Sequence, residues 1–293
     1  MDTNARKGTA TPLRASFHLS LLLAIFPAVA AEPPENFRRE NLVAWCVAPF
    51  DAKKRTPHDR AAMLSRLGLK RVAYDWREEH VPEFEIEFLA YREHGIELFA
   101  FWKNHPEAKA IFEQLDLKPQ IWVPLQTGKG LSNQEKVANA VESLVPLARE
   151  TAERGFALGL YNQGGWGGLP DNLAAVSAGL RERGFEQVGI AYTFHNAHPR
   201  IGTFADDLRK MRPHLLCVSL NGMADPAKSD ISKSENRIKP LGTGEHEAAM
   251  IAELIEQGYD GPVAILGHVA TRDAEEVLRE NIEGLERIVG GLP

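Results

Sequence analysis

The chain has 293 residues, two cysteines and a formal net charge of −6, a length that suits one large domain or two ordinary ones. The mild acidity, with no basic tract and no aromatic RNA-binding motif, argues against nucleic acid as a partner. No CxxC pair or Cys/His array has zinc-site spacing, which removes the common structural zinc modules. Cys46 and Cys217 each sit in an apolar run; they read as two buried thiols, with a disulfide left open because only the fold fixes their separation.

The first thirty residues form their own pattern. Arg6, Lys7 and Arg14 precede an apolar run over 17–30, which closes on Ala28-Val29-Ala30. A basic start, a short apolar core and a small-x-small site are the layout of a secretory signal peptide, too short for a comfortable membrane span. Residues 1–30 are therefore expected to be removed, 31–40 to be a polar lead-in, and the protein to work in a periplasm or outside the cell, with no membrane contact after cleavage.

From residue 41 onward one unit recurs: a short apolar run ending in polar or aromatic residues, then an amphipathic helical stretch. The runs are 42–50, 71–76, 97–102, 119–125, 157–161, 187–195, 214–222 and 262–268. The helices between them are expected near 57–67, 83–94, 106–115, 133–154, 171–183, 203–212, 245–257 and 273–289. Thr56 followed by Pro57 is a helix start, and Gly68, Gly95, Gly155 and Gly184 are helix stops. Near-continuous apolar runs suit strands buried on both faces. Eight strand–helix units, with no glycine-rich nucleotide motif after the first strand, predict a single (β/α)8 barrel over 41–293 rather than an open doubly wound sheet. The polar stretch 224–239 is the longest insertion and is expected to be its most mobile part.

A barrel of this kind carries its site at the C-terminal ends of the strands. Those ends supply Asp75, Trp76 and Arg77; Trp102 and Lys103; Asn162 and Trp166; His195 and His198; Asn221; and His268, with Glu245 in the loop after the seventh run. His195 and Asp75 are the acid/base candidates. Asn162, Asn221 and His268 could orient hydroxyl groups, and tryptophan rings stack on sugar faces or simply fill a barrel rim. Arg77 and Lys103 suit an anionic group, or are surface charges, and Asp75 and Arg77 also suit a simple ion pair. His198, ahead of Pro199, is expected to be solvated. The segment 157–168, with four glycines around Trp166, reads equally as a pocket edge or as a loop capping the sheet.

The runs VGIAYTFHNAH (188–198), LYNQGGW (160–166) and KPLGTGEHEAAMIAELIEQGYDGPVAIL (239–266) resemble the xylose isomerase-like superfamily of sugar (phosphate) isomerases and epimerases and endonuclease IV-like barrels. The resemblance covers nearly all of 41–293. It implies one divalent metal, such as Mn²⁺ or Mg²⁺, held by two Glu, an Asp and a His from the late strands, two of the carboxylates also moving a proton beside a carbonyl. Carried over to this chain, those positions fall on Tyr161, Tyr192, Ser219 or Asn221, and Leu266. Hydroxyl, amide and apolar groups are poor substitutes for carboxylate ligands. No cofactor is therefore expected, unless a metal uses a relocated set such as His195, His268 and Asp75.

The sequence thus points to a sugar isomerase/epimerase-like protein acting on a carbohydrate or sugar derivative. A lyase of oxidised glycosides and a non-catalytic carbohydrate-binding barrel are the alternatives. Monomer and homo-oligomer are both left open.

Overall fold

The structure is a computed structural model and describes residues 1–2, 8, 32–130 and 132–292. The apolar run 17–30 of the expected signal peptide lies outside the described residues. The elements below all fall within Ala31–Pro293.

Eight parallel strands close into a barrel in sequence order: β1 (Val43–Trp45), β2 (Arg71–Tyr74), β3 (Glu97–Trp102), β4 (Gln120–Pro124), β5 (Leu158–Tyr161), β6 (Val188–Thr193), β7 (Leu215–Leu220) and β8 (Val263–Leu266). Closure is made by β8 on β1, with Val43 opposite Ala264 and Trp45 opposite Leu266. Nine helices follow: α1 (Pro57–Arg66), α2 (Phe84–Glu93), α3 (Pro106–Gln114), α4 (Asn133–Arg154), α5 (Pro170–Arg181), α6 (Phe204–Met211), α7 (Ser234–Arg237), α8 (Glu247–Glu256) and α9 (Ala274–Gly290) among the described residues. The (β/α)8 barrel expected from the sequence is the fold observed.

Local chemistry explains the boundaries. The Thr56 hydroxyl accepts the Asp59 amide to start α1, Ser132 and Glu135 cap α4 reciprocally, and Gly155 ends α4 in the left-handed region at φ 72°. Satisfying exposed amides and adopting positive φ are what those residue types do best. The run 42–50 departs from expectation. It is not one strand: Cys46 takes φ 58°, which ends β1 at Trp45, and Ala48–Phe50 forms a short 3-10 turn.

The core has two layers. An outer one lies between sheet and helices, and an inner one fills the barrel with Val43, Trp45, Ala73, Phe99, Trp122, Tyr161 and Leu266. Trp45 and Trp122 meet edge to face with centroids 5.0 Å apart. Gly159 makes room for this packing, because a Cβ there would lie 2.5 Å from Trp122 Cδ1. Arg60 on α1 and Glu87 on α2 form a buried two-pronged ion pair at 2.8 and 2.9 Å. Cys46 and Cys217 are buried free thiols.

The insertion 224–239 is more ordered than its composition suggests. It contains α7 and is clamped at its base, where Gly222 and Lys239 exchange backbone hydrogen bonds of 2.8 and 2.9 Å. The buried Glu247 carboxylate then accepts the amides of Met223, Gly242 and Gly244, so one side chain satisfies three turn amides and fixes the exit of the loop.

Candidate active site

A cavity of about 520 Å³ opens at the C-terminal ends of the strands. Aromatic rings form its floor: Trp102 packs on Tyr161 at 4.7 Å and on Trp45 at 5.7 Å. Of the residues singled out from the sequence, Asp75, Arg77, Trp102, Lys103, His195 and His268 line this one space. They come from the ends of four strands, β2, β3, β6 and β8, which is how a barrel gathers distant positions.

Asp75 follows β2 and is only 4% exposed. Its Oδ1 accepts the Trp76 amide at 2.9 Å and an Arg77 Nη1 hydrogen bond at 2.8 Å. Burial pushes its carboxyl pKa up, against the pull of Arg77. The Cys46 thiol lies beside Asp75, and burial together with that carboxylate pushes the thiol well up. Cys46 therefore stays protonated and is no thiolate nucleophile.

His195 lies in a 3-10 turn directly after β6 and is 8% exposed. Its Nδ1 meets the Thr193 hydroxyl at 2.8 Å, which fixes the ring and turns Nε2 toward the cavity. Burial, with His268 and Arg237 nearby, pushes its pKa down to about 3. His268, after β8, is pushed down to about 4 by burial, Arg77 and Arg237. The two rings are 5.9 Å apart, and both are neutral at pH 7. The Nδ1 of His268 is buried without a hydrogen-bond partner.

Arg237 and Lys103 make the wall cationic. Arg237 ends α7, and its Nε is buried and unpartnered. Among the described residues neither side chain has an ion-pair partner. Sequence reasoning missed Arg237 because it sits in a polar stretch without hydrophobic period. It also passed over Trp45 and Cys46, which read as ordinary strand residues yet line the cavity, as does Tyr161 at the end of β5.

Four expected binding residues lie elsewhere. Asn162 faces sideways: its Oδ1 accepts the Thr193 amide at 2.7 Å and its Nδ2 donates to the Thr193 carbonyl at 3.0 Å. It ties β5 to β6 beneath His195 and, being buried, does not line the cavity. The Asn221 Nδ2 donates to the carbonyls of Gly222 and Arg237, so it holds the turn that presents Arg237. Trp166 donates to Asn133, which donates to Asn172, which returns a bond to the Trp166 carbonyl. That closed ring secures the glycine-rich loop off the cavity wall. Glu245 is exposed and accepts the Asp225 amide at 3.2 Å. His198, expected to be solvated, is buried, with its Nδ1 at 3.3 Å from the His195 carbonyl.

The positions that the family resemblance assigns to metal ligands do not form a donor set. Tyr161 faces the cavity, with burial pushing its phenol up. Tyr192 faces outward, its ring centroid 6.3 Å from that of Phe204, and Leu266 is fully buried in the barrel. Among the described residues no group of three or more His, Cys, Asp or Glu is placed to hold a metal ion, the trio His195, His268 and Asp75 included.

No family model and no curated protein sequence matches the chain. Solved structures do. A xylose isomerase domain-containing protein from Salmonella typhimurium superimposes with a TM-score of 0.64 at 12% identity, covering 86% of this chain and 98% of that one. The chain has the xylose isomerase-like fold. The 3-keto-D-glucoside 4-epimerase YcjR from E. coli gives 0.62 at 16% identity, covering 84% of this chain and 99% of that one. The probable 3-DHS dehydratase AsbF from Bacillus anthracis gives 0.61 at 11%, covering 84% and 98%. The chain therefore shares its architecture with solved structures described as an epimerase and a probable dehydratase.

Proposed function

We propose that the protein is a sugar-modifying enzyme that moves a proton at the carbon beside a carbonyl, with Asp75 and His195 as its acid/base pair. The observation that carries the reading is a buried carboxyl and a neutral imidazole facing one polar cavity with an aromatic floor. Burial raises the pKa of Asp75 and lowers that of His195. The usual order of the two groups is reversed, with the carboxyl holding a proton more readily than the imidazole, so the neutral His195 ring suits the base and Asp75 the acid. Removing that proton puts negative charge on the carbonyl oxygen. Arg237 and Lys103, which have no carboxylate partner, are the groups that would hold it. The residues at the superfamily's ligand positions do not suit a divalent ion, and no step here depends on one. Trp102 offers an apolar face to a sugar ring. The same first step opens a β-elimination, so a lyase acting on an oxidised glycoside uses the same pair. The signal-like start of the chain supports export to the periplasm or beyond, which sequencing the N-terminus of the secreted protein tests.

The deciding experiment is proton exchange. Ketoses and 3-oxo-glucosides incubated with the protein in D2O should gain deuterium beside the carbonyl, read by NMR, and Asp75→Asn and His195→Asn should abolish the gain. Sugar binding without any exchange would instead make the barrel a carbohydrate-binding protein.

A further inference from the structure

Behind His268 lies a second cavity of about 500 Å³, between α7 and the loop that follows β8. It meets the first at a single residue, because His268 lines both. Phe50 stacks on that imidazole with centroids 3.6 Å apart, so the two rings form the partition.

The two spaces differ in chemistry. The first is edged by Asp75, Arg77, Lys103 and Arg237. The second has an interior wall of Phe50, Ile238, Leu266, Val269 and Val277, with Ser234, Glu235, Lys239 and Thr271 toward its more exposed mouth. The buried polar side chain on its wall, Asn281, is held by the backbone: its Oδ1 accepts the Leu241 amide at 2.8 Å and its Nδ2 donates to the Leu266 carbonyl at 3.0 Å. Arg272, at the mouth, is held by both oxygens of Glu280 at 2.6 and 2.7 Å. A hydroxyl-rich ring seated against that interior wall, away from the mouth, would find few partners for its hydroxyls, which is costly. An apolar ring would lose nothing and gain contact. A space of this size is also far larger than a packing void, and lies in the range of ligand pockets, about 300–1,000 Å³.

We propose that this second cavity is an aglycone site, and that the substrate is a glycoside whose sugar fills the first cavity while an apolar, ring-bearing aglycone fills the second. This rests on the sugar reading of the first cavity. The glycosidic oxygen then passes over His268, the residue that lines both cavities. Free monosaccharides use only half of the site.

Calorimetric binding of methyl and phenyl glucosides, in both anomeric forms and as their 3-oxo derivatives, tests this. The phenyl compound of the favoured series should bind about 10- to 100-fold tighter than its methyl counterpart, the gain expected for burying one phenyl ring. Ala270→Trp plugs the exposed mouth of the second cavity, and Val277→Phe fills its wall from α9. Each should bring the phenyl-to-methyl ratio close to one while leaving methyl glucoside binding unchanged. The mouth substitution is at an exposed loop residue, so it keeps the test valid if the buried one unfolds the chain. Equal binding of phenyl and methyl compounds by the parent protein, or a preference that survives Ala270→Trp, overturns the aglycone site and leaves the sugar reading standing. Binding of neither series overturns both.

Discussion

Replacing Asn162 by alanine separates a structural role from a ligand role at the residue where sequence and structure disagree most. Asn162 is 1% exposed, and Thr193, whose backbone takes both of its hydrogen bonds, is 0% exposed. The alanine variant leaves one buried amide and one buried carbonyl without partners. Each such orphan costs roughly 1–3 kcal/mol, and partial relaxation brings the pair to about 3 kcal/mol. For a domain of this size that lowers Tm by roughly 6–12 °C, read by scanning calorimetry. Asn162→Asp sharpens the test. Its carboxyl keeps an acceptor for the Thr193 amide but must be protonated to donate to the Thr193 carbonyl, so its folded pKa rises above the unfolded value of about 3.9. Stability is then greatest below that unfolded value and is lost as pH rises through the folded pKa. A thermally unchanged Asn162→Ala with weakened sugar binding would refute the argument and return Asn162 to the cavity wall.

Three further outcomes follow from the same geometry. Asp75→Asn should lower kcat by about 10²- to 10⁴-fold with the fold intact. In the parent, the acid limb of kcat/KM should lie above the ordinary aspartate range, and Arg77→Ala should move it higher still, because Arg77 is the charge that pulls Asp75 down; a limb that moves lower, measured in pH–rate profiles, speaks against Asp75. Arg237→Gln removes a positive charge that lowers His195, His198 and His268, so all three imidazoles should titrate higher by NMR, whether or not the variant turns over substrate. Arg60→Met leaves the Glu87 carboxylate buried and unpaired and should cost about 3–5 kcal/mol by denaturant unfolding. The double variant Arg60→Met/Glu87→Leu should recover much of that loss.

The barrel was legible because strand and helix periods are written in the chain, and because the residues that end each period carry the rim. Asp75, His195 and His268 could be found that way, since each directly follows an apolar run and the fold sends such positions to one mouth. Side-chain direction was not legible. Asn162 and Tyr161 are neighbours at the end of β5, yet Tyr161 points into the cavity and Asn162 across to β6. Nothing in the pattern LYNQ reports that an amide will be captured by a neighbouring strand's backbone. The end of β1 was misread for a similar reason: the apolar run continues to Phe50, but a left-handed Cys46 turns the chain and delivers a thiol to Asp75. Arg237 was out of reach altogether. Its place depends on Asn221 and on the Gly222–Lys239 bridge, contacts between segments that no local period encodes.

The late-strand positions also decide the electrostatics of the cavity. Carboxylates there would raise the pKa of His195 by stabilising its charged form, and would raise that of Asp75 by like-charge repulsion. Tyr161 and Leu266 remove that negative field and leave burial and the cations in control. The charge that acts on His195 at neutral pH is then that of Arg237, which opposes its protonation. Arg77 and Arg237 act in the same sense on His268. The imidazoles are kept neutral in a cavity whose wall holds Lys103 and Arg237 without carboxylate partners, with Glu78 at its exposed edge. Such a site favours any ligand state that carries negative charge over the same ligand when neutral. Deprotonation beside a carbonyl produces that state at the oxygen. A barrel without carboxylates at those late-strand positions is therefore compatible with the proposed proton transfer, provided Arg237 and Lys103 face the oxygen on which the charge develops.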